Sequence, residues 1–484
     1  MITYYHYLNI HMKKKIAIHW FRFDLRVSDN PSLNYLSKNY DNIVGIYIFD
    51  DINSDPKLGS ASKVWLHASL DYLNKQLDGN LIFLKGDAKG CIDQLMDSFD
   101  VEEISWNRSY EPWIVKRDKS LKMYLKSKVN VNSFNGSLLW EPWEVLKNDG
   151  TPYKVFTPFY KRGCLSAREP RVPKSEKINF FKHNFCSLNL SDLKLLENKK
   201  WESKILSQWD VGEDTSLEIM KSFYLNGVKD YADGRNFPIK KNVSRLSPYL
   251  HWGQISPNIL WHELQSLKNV RDNDIEVFKS ELGWREFAYY LLYHFPHLQK
   301  KNLKSNFDNF QWLDDQVNFK KWSKGLTGIP IVDAGMRELW QTGYMHNRPR
   351  MIVSSFLVKN LLIHWRRGEE WFWDCLFDAD AASNSASWQW VAGTGTDSTP
   401  YFRIFNPVTQ GQKFDPSGDY IKKYVPELKN LPLKFLFCPW ECPLDILRNI
   451  NFELGKNYPY PIVDLKESRN RALSTYNLLR QERN

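Results

Sequence analysis

The first third of the chain carries short apolar runs. Residues 16–20 alternate between apolar and polar side chains, and residues 43–49 are almost continuously apolar. Residues 81–84 and 104–106 follow at intervals that leave room for a helix each time. Apolar strands separated by helix-length segments are typical of a parallel sheet covered on both faces. We therefore predict an α/β N-terminal domain with a parallel, doubly wound sheet of the five-stranded type.

Beyond Trp201 the apolar residues recur with a helical period, and strand signals nearly disappear. This period predicts helices at residues 215–227, 258–267, 273–294, 331–343, 349–365 and 369–376. We expect the C-terminal part of the chain to be an all-α domain.

Between these two patterns the periodicity weakens. Prolines and lysines are scattered there, around the run Lys-Val-Phe-Thr-Pro-Phe at residues 154–159. Such a segment is expected to be a long, partly helical linker that lies over the surface of both domains. The predicted boundaries are residues 13–140 for the α/β domain, 141–204 for the linker and 205–484 for the helical domain.

The composition is that of a folded protein with a basic surface. Hydrophobic residues make up 42% and charged residues 25% of the 484 residues, which excludes a disordered chain. The net charge of +10, from 66 basic and 56 acidic residues, favours a polyanionic partner, with nucleic acid first. A lysine-rich surface that serves solubility explains the charge equally well.

Cysteine usage and hydropathy bear on the compartment. The six cysteines are Cys91, Cys164, Cys186, Cys375, Cys438 and Cys442. Only the last two are close in sequence, so we expect reduced thiols in a cytoplasmic protein and neither a zinc knuckle nor an iron–sulfur site. No apolar run approaches the roughly eighteen residues of a membrane span. A start at Met12 would make the first eleven residues dispensable.

Two dense polar segments, at residues 344–351 and 378–390, mark the candidate site. They combine arginines, aspartates, small residues and tryptophans. Small residues let a flat ligand approach the backbone, charged groups bind its polar edge, and tryptophan offers a face for stacking. Arg350 and Asp378 are candidates for an ion pair. Asp378 and Asp380 lack a third ligand at matching spacing, so we expect no metal.

Two further positions have alternative interpretations. Glu281 shares a helical face with Trp284 and is either paired with Arg285 one turn away or free to bind a substrate. Ser247, before Pro248, either caps a helix or helps to bind a phosphate at its start. Trp388 and Trp390 are core residues unless a ligand stacks on them.

Several ordered motifs identify a family. They are residues 20–26 (Trp-Phe-Arg-Phe-Asp-Leu-Arg), 281–287 (Glu-Leu-Gly-Trp-Arg-Glu-Phe), 345–348 (Met-His-Asn-Arg), 388–390 (Trp-Gln-Trp) and 401–407 (Tyr-Phe-Arg-Ile-Phe-Asn-Pro). On these motifs the chain resembles the photolyase/cryptochrome family over nearly its full length, and most of all the class I cyclobutane pyrimidine dimer photolyases. The resemblance implies an α/β antenna domain, a linker, and a helical domain that holds FAD folded into a U.

The resemblance also implies roles for individual residues. Those expected to hold FAD are Tyr231, Val243, Ser244, Arg245, Leu246, Ser247, Arg285, Arg350, Asp378, Asp380 and Asn384. Those expected to bind DNA or the lesion are Arg235, Glu281, Trp284, Asn347, Arg348, Met351, Trp390 and Arg403. Those expected to act in repair itself are Glu281, Asn347 and Asn384. Those expected to carry electrons to the flavin are Trp312, Trp365 and Trp388.

The implied function is that of a DNA photolyase, a carbon–carbon lyase. Blue light would drive an electron from FADH⁻ to a pyrimidine dimer flipped out of UV-damaged DNA, and the dimer would split into two pyrimidines. Asn384 beside the flavin N5 suits a photolyase. The resemblance further implies that the protein is a monomer and cytoplasmic, and that it associates with the bacterial nucleoid if the source is prokaryotic. The alternatives are a cryptochrome-like photoreceptor without repair activity and a light-independent nucleic-acid-binding protein.

Two positions depart from the family pattern. Asn242-Val243 stands where the family usually has Gly-Thr, which removes one hydroxyl from the phosphate loop. Trp113 and Ile114 stand where some relatives hold folate with an Asn-Glu pair. The antenna chromophore is therefore left open between methenyltetrahydrofolate, a deazaflavin, another flavin and an empty site.

Overall fold

The computed structural model describes residues 13–398 and 400–481. The alternative start at Met12 lies outside these residues. Within the described part, the helices are all too short or too polar to cross a bilayer.

The N-terminal part is a five-stranded parallel sheet in the order β3-β2-β1-β4-β5. Its strands are β1 (Lys15–Phe21), β2 (Ile43–Phe49), β3 (Ile82–Lys85), β4 (Asp100–Asn107) and β5 (Asn130–Phe134). The helices between them are α1 (Pro31–Asn39), α2 (Ser60–Gln76), α3 (Ala88–Ser98) and α4 (Pro112–Leu125). The predicted α/β class is confirmed. The fifth strand lies at the edge and is only partly buried, which explains its weak apolar signal.

Residues 135–199, all described, form an irregular segment. It contains α5 (Phe156–Pro158), a π-helical turn at Phe159–Gly163, and 3₁₀ turns at Cys164–Ser166 and Leu190–Leu193. The backbone N–H of Phe181 donates to Ile43 O at 2.8 Å, and that of Leu188 donates to Phe83 O at 3.1 Å. The segment thus follows the β2–β3 side of the sheet before it enters the helical part.

The remainder of the described chain is helical, as predicted. Its α-helices are α6 (Lys200–Leu206), α7 (Glu213–Asn226), α8 (Tyr231–Gly234), α9 (Ser247–His251), α10 (Pro257–Gln265), α11 (Asp272–His294), α12 (Gln316–Ser323), α13 (Pro330–Thr342), α14 (Asn347–Ser355), α15 (Trp365–Cys375), α16 (Ala381–Ala392), α17 (Pro407–Phe414), α18 (Asp419–Tyr424), α19 (Leu433–Leu436), α20 (Leu444–Asn449) and α21 (Leu465–Gln481).

One predicted helix is wrong, and one of the two alternatives for Ser247 is excluded. The helix predicted over residues 349–365 ends in a π-helical turn at Phe356–Asn360. Leu362 then adopts φ = +53°, and the His364 side chain caps a new helix at Arg366 N. Ser247 is already the first residue of α9, and Leu246 occupies the cap position without a side-chain hydrogen bond. Ser247 is therefore not a helix cap.

Buried polar contacts join the α/β part to the helical part. The Arg26 guanidinium is 1% exposed and donates to Gly253 O at 2.8 Å. The Glu213 carboxylate accepts the backbone N–H groups of Val27 at 2.7 Å and Ser28 at 2.8 Å. Gly253 has φ = +69°, and a Cβ there would lie 2.1 Å from Phe23 O, so only glycine permits this approach.

Candidate active site

A cavity of about 550 Å³ lies in the helical part, between α8, α9, α11, α14 and α16. Fifteen of the residues singled out from the sequence line it: Tyr231, Arg235, Ser244, Ser247, Glu281, Trp284, Arg285, Asn347, Arg350, Met351, Asp378, Asp380, Asn384, Trp388 and Trp390. The tertiary fold therefore gathers residues that are more than 150 positions apart in sequence around one space.

The other predicted residues lie outside the cavity lining. Val243 precedes Ser244 and is partly buried, and Leu246 is buried in the core. The Arg245 guanidinium turns away and lies 4.2 Å from the Trp209 ring centroid. Arg403 is exposed, and its carbonyl accepts a hydrogen bond from Lys359 Nζ at 2.8 Å.

An ion pair forms one side of the cavity, as expected. Arg350 Nη2 lies 2.8 Å from Asp378 Oδ2 and 3.1 Å from Oδ1. Arg350 Nε also donates to Met345 O at 2.7 Å, which fixes the plane of the guanidinium. Burial lowers the pKa of Arg350, but the charge and hydrogen bonds of Asp378 outweigh burial and raise it overall. The pair presents a permanent positive charge next to a carboxylate.

Asp380 is held from three sides at the start of α16. Its carboxylate accepts Ser383 N–H at 2.6 Å and the Tyr289 hydroxyl hydrogen bond, and its Oδ2 lies 3.5 Å from His251 Nδ1. Burial opposes its ionisation, but His251, Tyr289 and the Ser383 N–H hold the pKa of Asp380 at about 2. Sequence reasoning missed His251 and Tyr289, which carried no signal beyond a histidine and a tyrosine on apolar helices.

Asn384 lies one turn further along α16. Its Nδ2 donates to the backbone oxygen of Glu369 on α15, at 3.0 Å. The neighbouring Ser385 hydroxyl donates to the Glu369 carboxylate. These contacts from α15 fix the Asn384 amide at the cavity wall.

Glu281 forms an ion pair with Arg235. The alternative in which it pairs with Arg285, one turn away, is wrong. Arg285 Nη1 instead donates to Ser137 O at 2.7 Å and contacts Glu286 at 3.2 Å. Since Arg235 follows α8 and Glu281 lies on α11, sequence spacing could not reveal this partner. Both members of the pair line the cavity.

Aromatic and basic side chains surround the Glu281 end of the cavity. The Trp284 side chain is 37% exposed and stacks on the Phe156 ring, with centroids 3.7 Å apart. Arg348 Nε donates to Asn236 Oδ1 at 2.9 Å, and its Nη1 lies 3.6 Å from Met351 Sδ. This end therefore offers both a stacking surface and positive charge to an anionic aromatic ligand.

The three tryptophans expected to carry electrons differ in burial. Trp388 and Trp365 are buried, and Trp312 is partly exposed. The His364 ring lies between Trp312, at 5.2 Å, and Trp365, at 5.6 Å. Trp388 packs against Phe372 at a centroid distance of 5.0 Å. Their role in electron transfer stays a prediction.

The positions of a folate pair in some relatives are occupied by packed side chains. Trp113 Nε1 donates to Glu111 at 2.8 Å, and the Arg117 guanidinium lies 5.0 Å from the Trp113 ring. Ile114 is 2% exposed. Neither residue presents a free hydrogen-bonding group to a ligand, so the antenna chromophore stays open.

Comparisons with known families match both parts of the chain. The family described as "DNA photolyase" matches residues 17–176, and that described as "FAD binding domain of DNA photolyase" matches residues 278–478. A deoxyribodipyrimidine photo-lyase of Agrobacterium fabrum is 45% identical over 473 residues, which cover 96% of this chain and 98% of that protein. Cryptochrome-1 of Arabidopsis thaliana is 34% identical over 479 residues, which cover 94% of this chain and 69% of that protein.

Solved structures agree with these matches. A bacterial class III photolyase from Agrobacterium tumefaciens is 44% identical, with a TM-score of 0.93 over 98% of this chain and 100% of that one. An archaeal photolyase from Sulfolobus tokodaii, described with two FAD molecules, is 29% identical, with a TM-score of 0.81 over 96% of this chain and 99% of that one. The first structure is of class III, so the expected class I assignment stays a prediction.

The cavity suits the cofactor that the second family profile describes. A volume of about 550 Å³ with small and apolar walls and few polar groups is typical of a cofactor site. Arg350, Asp378 and Asp380 supply the donors and acceptors that the polar edge of a flavin ring requires. The Nε2 atom of His251 and the Thr396 hydroxyl line the cavity without hydrogen-bond partners in the described part of the chain. Among the described residues no cluster suited to a metal ion occurs.

Proposed function

Since the chain belongs to the photolyase/cryptochrome family, we propose that it is a deoxyribodipyrimidine photo-lyase that splits cyclobutane pyrimidine dimers in DNA under blue light. The observation that carries the proposal is that one cavity joins two sets of residues. Arg350, Asp378 and Asn384 form the set expected at the flavin, and Glu281 and Trp284 belong to the set expected at the lesion.

The helical domain is an FAD-binding domain. When bound, reduced FAD supplies the light-driven electron that opens the cyclobutane ring. Arg350 and Asp378 orient the flavin ring, Asp380 binds its polar edge, and Ser244 and Ser247 contact the phosphate region. The loss of the family's threonine hydroxyl at Val243 leaves Ser244 and backbone N–H groups for that contact.

Lesion binding uses the end of the cavity where Glu281 and Trp284 lie. Trp284 and Trp390 stack on the flipped dimer, whose weakened pairing lowers the cost of leaving the duplex. Arg235, Arg348 and Arg403 bind phosphates, which gives the net charge of +10 a role and predicts salt-sensitive binding.

The Arg235–Glu281 ion pair links the two kinds of contact. When Arg235 turns to a DNA phosphate, the Glu281 carboxyl becomes free to hydrogen-bond the dimer. A hydrogen bond between the Glu281 carboxyl group and a pyrimidine carbonyl would stabilise the negative charge that develops there. Asn347 on α14 contacts the dimer beside it.

A direct test is repair of an oligonucleotide that contains one cyclobutane thymine dimer, with chemically reduced protein in blue light and in the dark. We expect thymines to be recovered in the light only. Absence of repair in a sample with stoichiometric reduced flavin would contradict the proposal.

A blue-light photoreceptor without repair activity is the second candidate, because cryptochromes are among the relatives. The Synechocystis cryptochrome structure is 28% identical, with a TM-score of 0.85 over 96% of this chain and 99% of that one. The same repair assay separates the two, since a photoreceptor leaves the dimer intact while its flavin still responds to light.

A further inference from the structure

The Lys-Val-Phe-Thr-Pro-Phe run at residues 154–159 lies outside the residues assigned to the flavin and to the lesion. It lies in the irregular segment between the two domains, and it places Phe156 directly against Trp284. The two rings are nearly parallel, with an interplanar angle of 9° and centroids 3.7 Å apart. Phe156 is 8% exposed, whereas Trp284 is 37% exposed at the lesion end of the cavity. A buried ring therefore covers one face of an exposed one.

Phe156 is itself held in place. Its backbone N–H donates to Asp397 Oδ2 at 2.8 Å, which ties it to the loop that follows α16 and lines the cavity. Tyr160, one turn on, adds a third nearly parallel ring at 5.6 Å and 7° from Phe156. A Cβ at Gly283, the neighbour of Trp284 on α11, would lie 2.6 Å from the Tyr160 ring. The linker is thus packed closely against α11 where Trp284 projects.

We propose that Phe156 is a positioning residue for lesion recognition, which rests on the proposed photolyase function. A partly exposed tryptophan samples several rotamers, and the rotamer freedom lost on binding reduces affinity. Stacking on Phe156 holds the Trp284 ring in one plane before DNA arrives and leaves its other face for a pyrimidine. The linker is then part of the substrate site as well as a connection between domains.

The test is a double-mutant cycle on the ratio of affinities for dimer-containing and undamaged DNA of the same sequence. Phe156→Leu keeps an apolar side chain but removes the stacking face, and we expect the ratio to fall about 3- to 10-fold. In a Trp284→Ala background the same substitution should leave the ratio unchanged, because Phe156 acts through Trp284. Flavin content and thermal unfolding are measured for each variant.

Phe159→Leu is the matched control. Phe159 belongs to the same run and is equally buried, but it packs on Tyr290 at 4.6 Å and on Phe287 at 5.0 Å instead of on Trp284. It should lower stability without changing the affinity ratio. If Phe156→Leu does not fold, Asp397→Ala, which removes the acceptor for the Phe156 N–H, should lower the ratio about 2- to 3-fold through the same contact.

The outcomes are distinct. An unchanged ratio in Phe156→Leu, an equal loss in both backgrounds, or an equal loss in Phe159→Leu would overturn the role of Phe156 while the photolyase function stands. If the unsubstituted protein binds damaged and undamaged DNA alike, the proposed function itself fails, and the role of Phe156 fails with it.

Discussion

The Glu281 side chain is positioned by a partner that is distant in sequence. Its carboxylate is paired with Arg235, and both line the cavity beside Trp284. Arg285, one turn away, is engaged with Ser137 O instead. In the proposed function, the ion pair holds Glu281 until a DNA phosphate competes for Arg235. At the residue scale, the proposed site therefore combines binding and catalysis in one contact.

Replacing Glu281 tests whether this side chain acts in repair more than in binding. Glu281→Gln keeps the size and some hydrogen bonding but removes the carboxyl group. We expect repair per absorbed photon to fall by about tenfold or more, the loss typical of one removed stabilising group. Binding of damaged DNA should change much less. Glu276→Gln, an exposed position on the same helix that contacts Lys279, is the control. An unchanged quantum yield would remove Glu281 from the reaction.

At the scale of elements, close packing of α15 against α16 defines one wall of the site. Gly368 of α15 permits the approach, since a Cβ there would lie 2.1 Å from Cη2 of Trp388 and 2.7 Å from Leu357. The Trp388 ring cannot retreat freely, because Phe372 and Trp322 pack against it. Asn384 on the same face of contact reaches back to Glu369 O. The two helices act as one rigid unit.

Gly368→Ala should disturb that unit. We expect a loss of about 1–3 kcal/mol in the free energy of unfolding, as for other overpacked cores, measured by urea titration. Gly90→Ala is the matched control, because Gly90 lies in α3 and its added Cβ meets nothing within 4 Å. That change should stabilise by about 0.5–1 kcal/mol through helix propensity. Equal effects of the two substitutions would contradict the packing argument.

At the scale of the whole molecule, buried polar groups connect the α/β and helical domains. Glu111 at the start of α4 is buried near Asp380 and His251 of the helical domain, and Trp113 Nε1 donates to it at 2.8 Å. Burial and the nearby Asp380 raise the pKa of Glu111 to about 7, although Trp113, His251 and Arg117 act in the opposite direction. Proton binding at Glu111 is therefore coupled to the stability of the folded chain.

The pH dependence follows from the direction of this shift. Between pH 4.5 and about 7 the folded protein keeps a proton on Glu111 that the unfolded chain releases, so stability falls as pH rises through this window. The full loss is on the order of 3 kcal/mol. Glu111→Gln should remove this loss. Relative to the unsubstituted protein, the free energy of unfolding of the variant should therefore increase from pH 5 to pH 8. Exposed Glu218→Gln is the control. Parallel pH profiles for Glu111→Gln and the unsubstituted protein would refute the coupling.

Local patterns in the sequence determined much of this protein. The apolar runs predicted the parallel sheet, and the helical period predicted the second domain, because both depend on neighbours a few residues apart. The motifs around Trp284, Asn347 and Trp388 pointed to the family, and the resemblance pointed to fifteen residues that line the cavity. The apolar pattern did not locate the partly buried edge strand β5, and the Arg350–Asp378 pair was expected from the family resemblance and not from spacing.

Only the tertiary structure decided which distant groups meet. It broke the helix predicted over residues 349–365 at Leu362, whose positive φ no local apolar pattern announced. It paired Glu281 with Arg235, placed His251 and Tyr289 at Asp380, and brought Phe156 onto Trp284. Each of these contacts joins residues that are far apart in sequence. Which of these residues meet depends on how whole helices and strands pack. The spacing of residues along the sequence carries no information about such contacts.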